Sequence, residues 1–151
     1  MKPIRTLSYA AFAAAILITG SCQKDKELVV VEIPVTPYEI QALWMVGNAT
    51  PADWNIDAPT EMTKVGENVF SYSGHLNEGE FKCPMEPGNW GGAFIMPVVN
   101  GTIIDANGVE DEEISLMPTG DPDNKWVVTE AGNYTITIDG NTHSIAVVKN
   151  N

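Results

Sequence analysis

The stretch YTITIDGNTHSIAVVK, residues 134–149, decides the fold class of this chain. In its first half, large apolar residues alternate with threonines, so an extended backbone would have one apolar face and one polar face. The segment Asp139-Gly140-Asn141 then favours a turn, and a second β-rich run occupies 144–149. Two antiparallel strands joined by a short turn are therefore predicted.

The remainder of the chain after residue 41 repeats this kind of pattern without a sustained helical period. The predicted strands are 42–46, 68–74, 80–83, 114–117, 125–129, 134–139 and 144–149. The turn residues Asn77-Glu78-Gly79 predict that 68–74 and 80–83 pair as a hairpin. Short strands separated by Gly, Pro and Asn predict an all-β fold, a small antiparallel sandwich over 41–151.

The first 21 residues have the features of a secretion signal. Lys2 and Arg5 precede an apolar run over 7–19, which is shorter than the roughly 20 residues that a membrane-spanning helix needs. Small residues then stand directly before Cys22. We expect residues 1–21 to be removed on export.

The segment Thr19-Gly20-Ser21-Cys22 resembles a bacterial lipobox, in which the cysteine becomes the lipidated first residue. Residues 23–27, of which four are charged, resemble the surface-export signals of Bacteroidota lipoproteins. These resemblances imply lipid on Cys22, a surface tether over 22–40 and a protein of the outer membrane that faces the cell exterior. The alternative is an ordinary signal peptide with an incidental cysteine.

Charge and cysteine content exclude several classes of function. The net charge of the chain is −12, and it becomes −14 without residues 1–21, which contain Lys2, Arg5 and no acid. So acidic a protein is unsuited to nucleic acid or anionic lipid and suits neutral ligands. Lipid on Cys22 would leave Cys83 without a partner, which rules out a disulfide framework and a cysteine zinc site.

Two tryptophans stand among turn residues instead of within apolar runs. Trp54 lies in Pro51-Ala52-Asp53-Trp54-Asn55, and Trp90 lies in Glu86-Pro87-Gly88-Asn89-Trp90-Gly91-Gly92. A large ring on such a loop either folds back onto the core or waits for a ligand. Sugars present C–H faces that an aromatic ring covers, so both residues are candidates for carbohydrate stacking, with core packing as the alternative.

Polar candidates lie near these rings in sequence. Lys82 is expected to point outward if Phe81 and Cys83 point inward, and its ammonium would then donate to sugar hydroxyls. A solvated lysine on a sheet face is the alternative. Asn55 and Asn89 are further candidates for hydroxyl contacts, although turn formation is the simpler role for both.

An ordered series of segments resembles one module of the starch-utilisation lipoproteins SusE and SusF. The segments are Leu43-Trp44-Met45-Val46-Gly47-Asn48-Ala49-Thr50, Trp54-Asn55, Pro59-Thr60-Glu61-Met62, Gly79-Glu80-Phe81-Lys82 and 125–137. The resemblance covers most of 42–148, and this chain has room for one module where the family proteins carry several in tandem.

This resemblance implies an immunoglobulin-like sandwich that binds α-glucan on the cell surface without catalysis. It places Trp54 and Lys82 on the family's stacking tryptophan and binding lysine, and Trp90 on a second aromatic position. It also implies support of polysaccharide capture and uptake beside SusC/SusD-like outer-membrane proteins. No cofactor is expected.

Other functions find less support in the sequence. The acidic residues 110–113 and Asp121-Pro122-Asp123-Asn124 do not fit the EF-hand pattern, so we interpret them as solvated acidic loops and expect no metal site. Neither a Gly-x-Ser-x-Gly elbow nor a His-Glu-x-x-His motif is present. A structural or protein-interaction lipoprotein without glycan affinity is the main alternative, and a small glycosidase with two paired carboxylates ranks below it.

Overall fold

The hairpin predicted at 134–149 forms the middle of the main sheet. A computed structural model describes residues 34–151; the predicted signal peptide, Cys22 and the tether up to residue 33 lie outside the described residues. Strand β11 (Gly132–Asp139) pairs antiparallel with β12 (Ser144–Lys149), with Ile138 opposite Ile145. The apolar residues of β11 are buried as the alternation predicts, so this prediction is confirmed.

Residues 34–151 contain strands and turns but no helix, which confirms the all-β prediction. The other strands are β1 (Trp44–Met45), β2 (Thr60–Glu61), β3 (Thr63–Gly66), β4 (Val69–Leu76), β5 (Gly79–Phe81), β6 (Cys83–Pro84), β7 (Phe94–Pro97), β8 (Thr102–Ile104), β9 (Val109–Met117) and β10 (Trp126–Val128). Within this part of the chain, no helix is long and apolar enough to cross a membrane.

The strands form three sheets around a common core. The seven-stranded sheet has the order β3-β4-β11-β12-β9-β7-β6, the three-stranded sheet has the order β5-β10-β8, and β1 pairs with β2. All of these pairings are antiparallel except that of β8 with β10, which is parallel. The architecture is a β-sandwich with one curled sheet and two smaller sheets.

The main core lies where the three sheets meet. Phe81 and Trp126 of the three-stranded sheet stack with their ring centroids 5.1 Å apart, and they belong to the same buried cluster as Ile136 and Ile145 of the main sheet. The Tyr134 hydroxyl donates to the backbone carbonyl of Glu130 at 2.7 Å. A tyrosine bonded to backbone just upstream is the corner found in immunoglobulin-like sandwiches.

The predicted pairing of 68–74 with 80–83 is wrong. Strand β4 pairs with β3 on one side and with β11 on the other, so neither edge of β4 is left for the next strand. The turn at Asn77-Glu78-Gly79 carries the chain into a different sheet, where β5 pairs with β10. A turn signal alone does not tell a hairpin from a crossing between sheets.

The acidic residues 110–113, interpreted as a loop, belong instead to strand β9, with their side chains exposed. The acidic half of β9 pairs with β12, with Glu112 opposite Ile145 and Glu113 opposite Ser144, so its backbone is held by pairing although its carboxylates remain solvated. Strands β2, β3, β7 and β8 were not predicted. Of the two tryptophans assigned to the core, Trp126 is fully buried and Trp44 is half-buried.

Buried Cys83 lies in the main core, as the apolar alternation predicts. Burial raises the pKa of its thiol, so the reactive thiolate is suppressed.

The N-terminal end of the described chain is held at one end of the main sheet. The amide of Tyr38 donates to the carbonyl of Gly140 at 2.8 Å, and the amide of Ile40 donates to the side-chain oxygen of Asn68 at 3.1 Å. Tyr38 also stacks on His143, with ring centroids 3.6 Å apart. The chain therefore enters the sandwich beside the turns that precede β4 and follow β11.

Candidate functional site

The loop that carries Trp54 is fixed to the sandwich at its first residue, Gly47. The Gly47 amide donates to the carbonyl of Asp53 at 2.8 Å, and the Gly47 carbonyl accepts from the amide and the hydroxyl of buried Thr50 at 2.8 and 2.9 Å. Gly47 has a φ of +143°, and a Cβ there would lie 2.1 Å from the carbonyl oxygen of Glu80. Only glycine allows the loop to begin this close to the neighbouring strand.

Asp53 turns the backbone so that the Trp54 ring lies exposed on the surface. Its φ is +53°, in the left-handed region that aspartate tolerates better than most residues. Its carboxylate accepts from the amide of Trp54 at 2.8 Å. Two positions later Ile56 is buried with Val46, Phe94 and Met96 in a second, smaller core cluster. The loop is therefore anchored on both sides of an exposed ring.

A hydrogen bond between main chains joins this loop to the one that carries Trp90. The amide of Gly88 donates to the carbonyl of Ile56 at 2.7 Å. The second loop connects β6 to β7, and Asn89 shapes its tip: its side-chain oxygen accepts from the amide of Gly91, and its side-chain nitrogen donates to Glu86. The positions of the two tryptophans are therefore coupled through backbone.

Trp54 and Trp90 form an angled pair on the surface, which we call the aromatic platform. Their ring centroids are 6.4 Å apart and their planes meet at 41°. Trp54 is 36% exposed and Trp90 is 45% exposed, whereas the other two tryptophans are buried or half-buried. Trp90 also lies nearly parallel to Phe94, with centroids 6.2 Å apart. Two tilted rings that are both partly exposed suit a curved apolar ligand surface.

Two lysines lie against the aromatic platform and share one carboxylate, and we call these residues the lysine–aspartate cluster: Lys82, Asp123 and Lys125. One carboxylate oxygen of Asp123 accepts from the Lys82 ammonium at 2.6 Å, and the other accepts from the Lys125 ammonium at 2.6 Å. The Lys82 nitrogen lies 5.2 Å from the centroid of Trp90, and the Lys125 nitrogen lies 5.9 Å from that of Trp54. Each ring thus has its own cation.

The ionisation of Asp123 follows from these contacts. Partial burial acts to raise the pKa of its carboxyl group, but hydrogen bonds from Lys125 and Lys82 and attraction to both ammonium groups outweigh burial. The pKa of Asp123 therefore lies below its ordinary value, and the cluster contains a carboxylate at neutral pH. Asp123 was predicted to belong to a solvated acidic loop; its side chain is 57% exposed, but it holds two lysines together.

The predicted exposure of Lys82 is wrong, although the residue lies beside Trp90, one of the two candidate tryptophans. Lys82 is only 5% exposed, because Trp90 and Phe94 cover the face of the strand opposite to the main core. Its nitrogen lies 4.3 Å from the centroid of the Phe94 ring. Alternation correctly places Lys82 on the opposite face of the strand from Phe81 and Cys83. That face, however, is covered by other side chains and not by solvent.

The two asparagine candidates differ. Asn89 forms the turn, as its simpler role predicted, because both ends of its side-chain amide bind within its own loop. Asn55 is exposed one residue after Trp54, and its main chain also forms turns, with its amide donating to Ala52 and its carbonyl accepting from Ala58. Asn55 therefore stays a candidate contact at the edge of the platform.

Sequence reasoning did not assign Asp123, Lys125 or Phe94 to the site. Lys125 had a usable signal: it precedes Trp126, which is buried, so alternation places its side chain on the opposite face. Nothing local links Asp123 to Lys82, which is 41 residues away. Within residues 34–151, no group of three or more His, Cys, Asp or Glu side chains is placed to hold a metal ion.

Comparison with known families identifies the family to which this chain belongs. The family model for SusF/SusE starch-specific carbohydrate-binding modules matches residues 42–146, so the chain belongs to this family. The matched range includes Trp54, Lys82 and Trp90. Carbohydrate-binding modules are a non-catalytic class, so the chain is not an enzyme, and the family's specificity indicates starch as ligand. No curated protein and no solved structure matches the chain.

Substitution Gly47→Ala is expected to destabilise the fold and displace the Trp54 loop. The new methyl group would overlap the backbone of Glu80 and Phe81, so we expect a loss of about 2 kcal/mol or more in the free energy of unfolding, measured by urea denaturation. Gly101→Ala is the matched control, because its φ is +83° but no atom lies within 4 Å of the added carbon. Equal losses for both variants would show that the close approach is unimportant.

Substitution Asp123→Asn is expected to reduce the free energy of unfolding at neutral pH by about 1 kcal/mol, because it leaves the buried Lys82 ammonium without its charged partner. The loss is limited because solvent already screens Asp123, the exposed member of the pair. Because the folded-state pKa of Asp123 is lowered, its contribution is present above about pH 4 and is lost as pH falls through the folded pKa. The difference between variant and wild type should therefore shrink in urea denaturation series taken to lower pH.

Substitution Glu130→Gln is the control for this measurement, since it breaks the pair that Glu130 forms with Lys149 on the surface. Little change is expected there. A difference between Asp123→Asn and wild type that stays constant down to pH 2 would contradict the assigned role of the Asp123 carboxylate.

Proposed function

We propose that this member of the SusF/SusE family is a lipid-anchored, non-catalytic surface protein that holds starch-like α-glucan on the aromatic platform. Trp54 and Trp90 stack on the apolar faces of glucose units, and charged groups beside them bind hydroxyls. The bound polymer is kept close to uptake proteins, which raises its local concentration. SusC/SusD-like outer-membrane proteins are the proposed partners.

The observation that carries this proposal is the geometry of the aromatic platform. Two tryptophans from separate loops are exposed side by side at 41°, although burial of rings of this size is favourable. A main-chain hydrogen bond between their loops holds the spacing before any ligand arrives. Preorganisation of this kind lowers the entropic cost of binding a flexible polymer.

The direction of the chain supports presentation of the platform away from an N-terminal anchor. Tyr38 lies beside Gly140, at the end of the sheet where β4 begins. The loop of Trp54 lies at the other end of β4, where the amide of Asn77 donates to the carbonyl of Ala49 at 2.9 Å. Eight strand residues span about 23 Å. The described chain thus enters the sandwich at the opposite end of β4 from the loop of Trp54.

The neutral character of starch also fits the electrostatics of the protein. The chain carries a net charge of −12, which would repel polyanions at long range. A neutral polymer meets no such barrier, and Asp123 neutralises one of the two lysine charges at the platform. Recognition then depends on stacking and on hydrogen bonds to hydroxyl groups.

Binding is tested by native affinity electrophoresis of the purified protein in gels that contain amylopectin or glycogen. We expect retardation of the wild type and a rise of about tenfold in Kd for Trp54→Ala and for Trp90→Ala, because each change removes a central aromatic contact. The double variant should migrate as in a gel without polysaccharide. Val148→Ala, which shortens an exposed apolar residue of β12, is the control and should bind as wild type.

Two results would count against the proposal in different ways. A wild-type protein with unchanged mobility in both polysaccharides would refute glycan binding and favour the alternative, a structural subunit without glycan affinity. Undiminished retardation of the double tryptophan variant would leave glycan binding intact but refute the platform as its site.

The lipid anchor is tested separately with the two cysteines. We expect the protein in intact producing cells to incorporate a labelled fatty acid, to fractionate with the outer membrane and to be cleaved by added protease. Cys22→Ala should abolish the label, because no other residue of the lipobox-like segment has a thiol. Cys83→Ala is the control and should keep the label, since Cys83 is buried in the core. Label retained by Cys22→Ala would refute the anchor.

A further inference from the structure

An uncharged apolar surface lies on strand β8 and on the turn before it. Val98, Val99 and Ile103 are 47%, 65% and 58% exposed, and we call these three residues the β8 edge patch. They belong to segment 87–104, the longest run within residues 34–151 that contains no Asp, Glu, Lys, Arg or His. In a chain with a net charge of −12, such a surface lets another protein pack against it without burying charge.

Hydrogen bonds to backbone carbonyls hold the β8 edge patch in place. The Thr102 hydroxyl donates to the carbonyl of Val99 at 2.8 Å, and the side-chain nitrogen of Asn124 donates to the carbonyl of Val98 at 3.1 Å. The apolar side chains are therefore presented by a fixed turn and strand, so that docking on them costs little conformational entropy.

Strand β8 also has a backbone edge without a strand partner among residues 34–151. It pairs only with β10, in regular register from Thr102 to Ile104, and it is a terminal strand of its sheet. Such an edge pairs readily with another strand unless charges, prolines or bulges protect it. The terminal strands of the seven-stranded sheet have this protection, since β3 carries Lys64 and a register shift after it and β6 contains Pro84. Strand β8 has none of these features.

We propose that two copies of this chain associate through antiparallel pairing of their β8 strands, with Ile103 of each copy opposite Ile103 of the other. A second copy fits this edge because a twofold axis places uncharged, β-branched side chains against the same side chains. Both copies carry the same negative charge, and they pair here without a carboxylate in either strand. Because the strand is short, the expected dimer is weak, with a Kd of about 10–100 µM.

This pairing places both aromatic platforms on the same side of the dimer. Ile103 is aligned with Val127, and alternation puts both on the face of the sheet that carries Lys125. Trp54 lies on this face, since the Lys125 nitrogen is 5.9 Å from its ring centroid. The twofold axis between antiparallel strands is perpendicular to the sheet, so it repeats this face without inverting it. With adjacent strands about 4.8 Å apart, the two platforms are separated by roughly 20–30 Å.

The dimer presents two platforms to one polymer. This use of the dimer rests on the proposed glycan function, whereas the association itself does not. Once one platform holds an α-glucan chain, the other platform meets the same polymer at a high effective concentration. Amylopectin therefore retains the dimer more strongly than the separate modules, although the Kd of each platform is unchanged.

Association is tested by sedimentation velocity of the full protein with Cys22→Ala, in which the remaining Cys83 is buried and forms no disulfide between copies. We expect a monomer–dimer equilibrium whose dimer fraction rises with salt, because salt screens the repulsion between two acidic chains. Ile103→Lys should make the protein monomeric, because like charges then lie opposite each other across the axis. Val65→Lys adds the same charge at an exposed valine of β3 and should remain dimeric. Near-UV circular dichroism checks that each variant is folded.

The register of the pairing is tested by a cysteine at the twofold axis. Ile103→Cys in the same background should form a disulfide-linked dimer under mild oxidation, because residues directly opposite in antiparallel strands have Cα atoms about 4.5–5.5 Å apart. Val65→Cys is the control, since it is as exposed as Ile103 but lies on another edge. It should crosslink only at the level of random collision.

Bivalent binding is tested with a long ligand and a short one. Ile103→Lys should weaken retention in amylopectin gels by about tenfold or more relative to Val65→Lys. Its Kd for β-cyclodextrin, a ring of glucose units too small to span two platforms, should equal that of Val65→Lys by isothermal titration calorimetry. Equal retention of the two variants in amylopectin would show that the dimer does not bind one polymer through both platforms.

The remaining outcomes are distinguishable. A protein that stays monomeric at about 1 mM in high salt overturns the proposed association. A dimer that survives Ile103→Lys, or that is not crosslinked through Ile103→Cys, also overturns it, because such a dimer uses another surface. If a photo-crosslinker at position 103 captures a different protein in intact cells while the purified chain is monomeric, the patch binds that partner and not a second copy. If dimers form but amylopectin does not retard them, the proposed glycan function fails and the association stands.

Discussion

The close approach of Gly47 to the backbone of Glu80 and Phe81 is the constraint on which the rest of the site depends. It places the loop of Trp54 directly over the strand segment that contains Lys82. The same loop then reaches the second core cluster through Ile56, whose carbonyl binds the amide of Gly88. Removal of the Gly47 contact would therefore affect the spacing of both rings, and not only the loop in which the glycine lies.

Sequence patterns were sufficient where the determinants are local. The alternation in 134–138 predicts the buried face of β11, and the turn residues after it predict the hairpin with β12. Trp54 and Trp90 stand among turn residues, and both lie exposed on loops, which is one of the two outcomes that their context left open. In each case the period of the backbone or the conformational preference of a few neighbours decides the outcome.

Patterns failed where the outcome depends on a distant segment. Whether the strand before Asn77 pairs with the strand after it depends on β3 and β11, which occupy both edges of β4. The burial of Lys82 depends on Phe94 and Trp90, which arrive from the next hairpin to cover its face of the strand. Asp123 meets Lys82 across 41 residues, a distance over which no periodicity in the sequence carries information.

The burial of Lys82 is better explained by its role in orienting Asp123 than by a gain in the free energy of unfolding. Removing an ammonium from water costs free energy, and a partly buried ion pair recovers that cost only in part. A hydrophobic residue of similar length would pack beneath Phe94 and Trp90 at no such cost. Such a residue would not supply a fixed positive charge next to one oxygen of Asp123. With Lys82 on that oxygen, the other oxygen binds Lys125. The lysine thus orients a carboxylate at the edge of an apolar surface.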